Sequence, residues 1–203
     1  MRLAPGPGDN LPRPIRAVRG VHRLSGGNLA LDLHVARAGQ MPPFYTPPAA
    51  RGEDALFGAR IGHLSVLRVP AYVFHDPFCR FTGIASTGIC PAQLTPTPLT
   101  RVTVERFGRA LLGWIRYAPL LLRLRAPDEA WYRVGISLMR EAVGEAAPAL
   151  AGGLHWEGFS AAPSVLARYS RRSEHDLQEL ISTEQAWRCW LGERLSDSVQ
   201  RAA

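Results

Sequence analysis

At 203 residues the chain is long enough to bury a core as one domain, or as one domain with an appendage. Its 46% hydrophobic and 20% charged residues are those of a globular protein, which excludes a linker or a peptide, and 17 prolines with 19 glycines add many turns. The net charge of +7 rests on 24 basic residues that are all arginine, spread along the chain without clustered aromatic platforms, so no nucleic-acid partner is expected.

The cysteines Cys79, Cys90 and Cys189 form no CxxC pair and leave one over. Neither a disulfide framework nor a zinc site is indicated, and a reducing, cytoplasmic compartment fits best. Residues 1–14 hold Pro5, Pro7, Pro12 and Pro14 with no apolar run behind their arginines. They are expected to be a disordered leader, not a secretory signal. No stretch reaches the roughly 18 uninterrupted apolar residues of a membrane span.

From Ile15 to Leu24, apolar residues alternate with arginines, a weak strand signal that Ser25-Gly26-Gly27-Asn28 breaks. Leu29 to Gly39 reads as a strand running into a short helix ended by Gly39. Gln40 to Ala50, with Pro42, Pro43, Pro47 and Pro48, must be a loop. It delivers the chain to Gly52, Glu53 and Asp54, which open a short helix closed by Gly62. Both carboxylates therefore fall in a first helical turn, where the helix dipole and free backbone N–H groups favour the ionised form. The β-branched and aromatic run from Val66 to Phe74 predicts a strand, interrupted near Pro70 and ending on His75 and Asp76.

Beyond residue 100 the apolar period becomes helical. Arg101 to Arg125 places Val104, Phe107, Leu111, Trp114, Ile115 and Ala118 at core spacing, while Arg109, Arg116 and Arg123 recur on another face. Pro119 is expected to kink or divide this helix. Asp128 can cap a helix running to about Val143, and Ser173 with Asp176 resembles a capping box opening a final helix. The expected organisation is a leader over 1–14, an α/β region over 15–99 and a mainly helical region over 100–203.

Each chemical island has an ordinary alternative. Gly26-Gly27 with Asn28 allows close approach of a ligand to the backbone, and equally makes a plain turn. Glu53 and Asp54 suit a general base with its partner, or simply favourable charges at a helix start. His75 at a strand end suits a metal ligand or a structural hydrogen bond, and His34 and His63 are read as structural or exposed.

The order of the islands resembles the acceptor-side half of GT-A-type family 2 glycosyltransferases: Gly26, Gly27 and Asn28; then Phe44 and Tyr45; then Gly52, Glu53 and Asp54 with Phe57 and Arg60; then His75. The resemblance covers roughly Leu24 to Phe81. It implies a partial GT-A-like mixed α/β layer lacking the nucleotide-binding half, followed by a mainly helical part. It also implies transfer of a sugar from a nucleotide-sugar donor to a glycan or lipid-linked acceptor. By this likeness Asp54 is the base, Glu53 binds or positions the acceptor, and Gly26, Gly27, Asn28 and Gly52 line the substrate site. His75 approaches a divalent Mn or Mg ion that offsets the departing diphosphate. The family's Asp-x-Asp is missing from this sequence, so the chain is expected to be incomplete on its own. The other function class weighed is a non-catalytic helical module that binds a partner protein or a membrane surface through the helix at 101–125, placing the protein at the inner face of the membrane.

Overall fold

The computed structural model describes residues 16–18, 30–68 and 98–202. Two strands, β1 (Arg16–Val18) and β2 (Val66–Arg68), pair antiparallel with Ala17 opposite Leu67. Between them lie α1 (Leu33–Arg37) and α2 (Glu53–Arg60). Three long helices follow: α3 (Arg101–Arg125), α4 (Glu129–Leu154) and α5 (Ala162–Ala202), with a 3₁₀ helix (Glu157–Ala161) before the last.

The α/β expectation is corrected by this architecture, which is mainly helical. Strand is confined, among the described residues, to one pair of three-residue segments, too short a ladder to bury a face of its own. Burial comes instead from apolar residues at helical spacing on α3, α4 and α5. Ile115, Ala147, Ala162 and Leu166 form one cluster. Val104, Ala151 and Phe159 form a second, at the end where the 3₁₀ helix turns the chain. The Trp156 ring sits edge-on to Phe159 at 4.9 Å and occupies the space that a side chain on Gly108 would need. A smaller cluster of Met41, Phe57 and Ile61 lies beneath α1 and α2.

Helix α3 has its expected bounds, α4 its expected start, and α5 neither its expected start nor its expected cap. Thr100 Oγ1 accepts from Thr103 N–H at 3.2 Å and Asp128 Oδ1 from Trp131 N–H at 2.8 Å, each satisfying an otherwise orphan donor. Helix α3 runs undivided through Pro119, which is buried in the helical core. Helix α4 continues past Val143 and Pro148 to Leu154; Pro148 is exposed, so water can reach the carbonyl it leaves unbonded. The expected capping box of the last helix is corrected. Helix α5 starts at Ala162, and Ser173 and Asp176 are buried inside it. Ser173 Oγ lies 2.6 Å from the Tyr132 hydroxyl, and Asp176 Oδ1 accepts from Arg172 at 2.8 Å.

Candidate functional site

Prolines shape the segment that carries the carboxylates. The loop from Met41 to Arg51 has few N–H groups to build regular structure, and its carbonyls accept from helices that arrive later in the chain. Trp187 Nε1 donates to Met41 O at 2.9 Å, the Tyr169 hydroxyl to Pro48 O at 2.6 Å and Arg116 Nη1 to Ala49 O at 2.9 Å. Arg51 N–H donates to Gly113 O at 3.3 Å. The aromatic pair quoted for the resemblance serves the same end. Phe44 stacks on Phe57 with centroids 4.4 Å apart, and the Tyr45 hydroxyl donates to Glu179 at 3.1 Å. Arg60 closes the far end of α2 through a two-point pair with Glu184 at 2.6 and 2.7 Å, and Glu184 is buried.

A cleft of about 230 Å³ opens beside that pair, lined among others by Gln40, His63, Trp187 and Arg188. Glu184 there is paired with Arg60 and lies 3.5 Å from Arg188.

Gly52 stands at the other end of α2 with φ 99°, a left-handed conformation open to glycine at little cost. A Cβ at this position would enter the ring of Tyr117. Glu53 and Asp54 occupy the first turn, as the sequence predicts. Glu53 Oε2 accepts from Gly52 N–H at 3.1 Å and Asp54 Oδ1 from Ala55 N–H at 2.8 Å. Gly26, Gly27, Asn28 and His75 lie outside the described residues, so their part in the expected site is not described. The divalent-metal expectation rested on His75. Among the described residues no group of three or more His, Cys, Asp or Glu side chains gathers to hold a metal, and no step below runs through one.

Tyr117 links the carboxylates to a groove between α3 and α4. Burial pushes its phenol pKa up, the charges of Asp54 and Glu53 push it further, and Arg125 pulls against them. The phenol is thus a neutral hydroxyl at neutral pH. The groove, about 340 Å³, has Ile115, Ala118, Leu121, Leu122 and Met139 among its lining, with Trp114 and Trp131 at its margins. Both tryptophans are exposed, at 43% and 47%. At its base Leu122 meets Gly135, where an added side chain would press on the Leu122 methyls.

Sequence reasoning placed Trp114 and Trp131 among apolar helix positions and did not single out Tyr117 or Arg125. The signal was present: Trp114, Tyr117, Ala118, Leu121, Leu122 and Arg125 fall on one face at helical spacing. The arginine stripe behaves otherwise than a free basic face. Arg109 pairs with Glu105 at 3.0 Å, Arg116 holds the loop, and Arg123 binds Glu129 and Glu174 while covering the Tyr132 ring at 3.9 Å.

The chain matches no family model, no curated protein and no solved structure. No helix among the described residues is long and apolar enough to cross a membrane.

Proposed function

We propose that the chain supplies the acceptor side of a transferase that moves a sugar from a nucleotide-sugar to an acceptor hydroxyl. What supports the reading most is that Gly52 brings the Glu53–Asp54 turn against Tyr117, a residue that also lines an open groove. The charge of Asp54 reaches the Tyr117 phenol, and this reading makes Asp54 the carboxylate that takes the acceptor's proton. Asp54 accepts the proton as the oxygen attacks the anomeric carbon; the bond from that carbon to the diphosphate breaks, and the nucleoside diphosphate leaves with the electron pair. A positioned base of this kind contributes about 10²–10⁴-fold in rate. Orientation contributes much of the rest, so the donor must be held in line by residues other than those assigned here.

The test compares lysates of source cells carrying the native gene, its deletion and an Asp54→Asn allele, assayed with labelled UDP- and GDP-sugars. Transfer lost on deletion and depressed about 10²-fold or more by Asp54→Asn, at native protein level and circular dichroism, is the expected result. Full transfer with Asp54→Asn removes the base assignment, and unchanged transfer on deletion removes the transferase. A second reading, a helical module docking on a membrane or partner, is favoured by Trp131, Val134 and Leu138, which leave one stripe of α4 exposed.

A further inference from the structure

We propose that the α3–α4 groove binds an amphiphile: a hydrocarbon chain along the groove floor and an anionic, hydroxyl-bearing head at Tyr117 and Arg125. The inference rests on the transferase reading only in making this molecule the acceptor; its binding stands on the groove itself.

The floor selects hydrocarbon. Ile115, Ala118, Leu121, Leu122 and Met139 offer no hydrogen bond, so a bare sugar seated on them would leave its hydroxyls dry and unpaired. The volume of about 340 Å³ holds on the order of ten methylenes, each roughly the size of a water molecule. From Trp114 to Arg125 the lining covers about 16 Å of helix, enough for such a chain extended. Trp131 lies three residues beyond the turn joining α3 to α4, so it stands at the Arg125 end, whereas Met139 packs beside Ile115 toward Trp114.

Charge fixes the direction. Arg125 makes no ion pair among the described residues, while the acids nearest it in sequence are engaged: Asp128 caps α4, and Glu129 pairs with Arg123 and Arg133. A guanidinium beside an apolar groove is complementary to an anion at the end of a chain. Tyr117 supplies a neutral donor beside it, and the charge of Asp54 reaches the same phenol. A head bearing both an anion and a hydroxyl thus presents the anion to Arg125 and the hydroxyl to Tyr117, whose phenol feels the Asp54 charge.

Decyl phosphate, kept below its micelle concentration, is the probe, with decanol, inorganic phosphate and maltose as comparisons and calorimetry of the full chain as readout. Decyl phosphate is expected to bind at least tenfold tighter than decanol, with inorganic phosphate and maltose showing no heat at the same concentrations. Arg125→Gln, an exposed change that spares the core, should weaken decyl phosphate about tenfold or more and leave decanol unchanged. Leu121→Gln should weaken both chain-bearing probes. Asp54→Asn should leave binding intact, which separates this result from the fate of the transferase reading. Equal affinity with and without Arg125, tighter binding of maltose than of decyl phosphate, or binding to anionic phosphatidylglycerol vesicles without any to the monomeric probe would each overturn the site. The last outcome would make the α3–α4 face a membrane dock instead.

Discussion

Gly52 meets two constraints at once: a backbone at φ 99° and a tyrosine ring where a side chain would begin. Alanine there would pay about 1–2 kcal/mol for the left-handed conformation, and displacement of Tyr117 adds to it. Gly52→Ala is expected to lower stability by about 2 kcal/mol or more in urea titration, while tilting the Glu53–Asp54 turn away from the groove. This part of the site was legible in the sequence, because a glycine before two carboxylates encodes a helix start by local chemistry alone. Tyr117 and Arg125 were not. Their spacing puts them on one face of α3, but periodicity does not say whether another element covers that face, and here α4 covers only its edge.

Among the elements, α4 ends on His155 in a left-handed conformation, φ 51° and ψ 44°, a place that glycine fills without strain. His155→Gly is expected to stabilise the fold by up to about 1 kcal/mol, after part of the relieved strain is offset by a freer unfolded chain. An unchanged or lower urea midpoint would mean that the imidazole holds this corner. The start at Asp128 was readable since its cap acts within three residues, and the start at Arg101 from apolar spacing, with the Thr100 cap seen only in the structure. The start of α5 was not. Ser173 and Asp176 carry the residue types of a capping box, yet their partners are Tyr132 from α4 and Arg172 on α5 itself, contacts that no local pattern encodes. The strand expected from Val66 is present over Val66–Arg68, where β1 pairs with it, and the rest of the expected run lies outside the described residues. What failed is the inference from these strands to an α/β layer, since burial is carried by the long helices.

For the whole molecule, alkaline pH is the informative perturbation. Tyr45 and Tyr117 both hold their protons above the ordinary phenol range. Burial is the largest cause at each, joined by the hydrogen bond and charge of Glu179 at Tyr45 and by the charge of Asp54 at Tyr117. The unfolded chain releases these protons near about pH 10, where the folded chain still keeps them. The stabilisation is therefore complete below about pH 10 and declines as pH rises through the folded values, because there the unfolded state binds fewer protons. Urea midpoints should fall steeply above about pH 10, with phenolate absorbance at these residues rising only as the chain unfolds. Tyr45→Phe should flatten that slope; an unaltered slope would show that this phenol does not govern alkaline unfolding.

The loop ahead of the carboxylates depends on partners far along the chain: 121 residues separate Pro48 from Tyr169, 124 separate Arg60 from Glu184, and 146 separate Met41 from Trp187. Translation proceeds at about 5–20 residues per second, so α2 leaves the ribosome roughly 6–25 s before the carboxylate that clamps it. Through that interval Glu53 and Asp54 exist as a sequence and not yet as a site. A nascent chain arrested ahead of residue 169 would carry the whole Gly-Glu-Asp motif and its Tyr117 neighbour but none of the three side chains, Tyr169, Glu184 and Trp187, that fix the loop and the far end of α2.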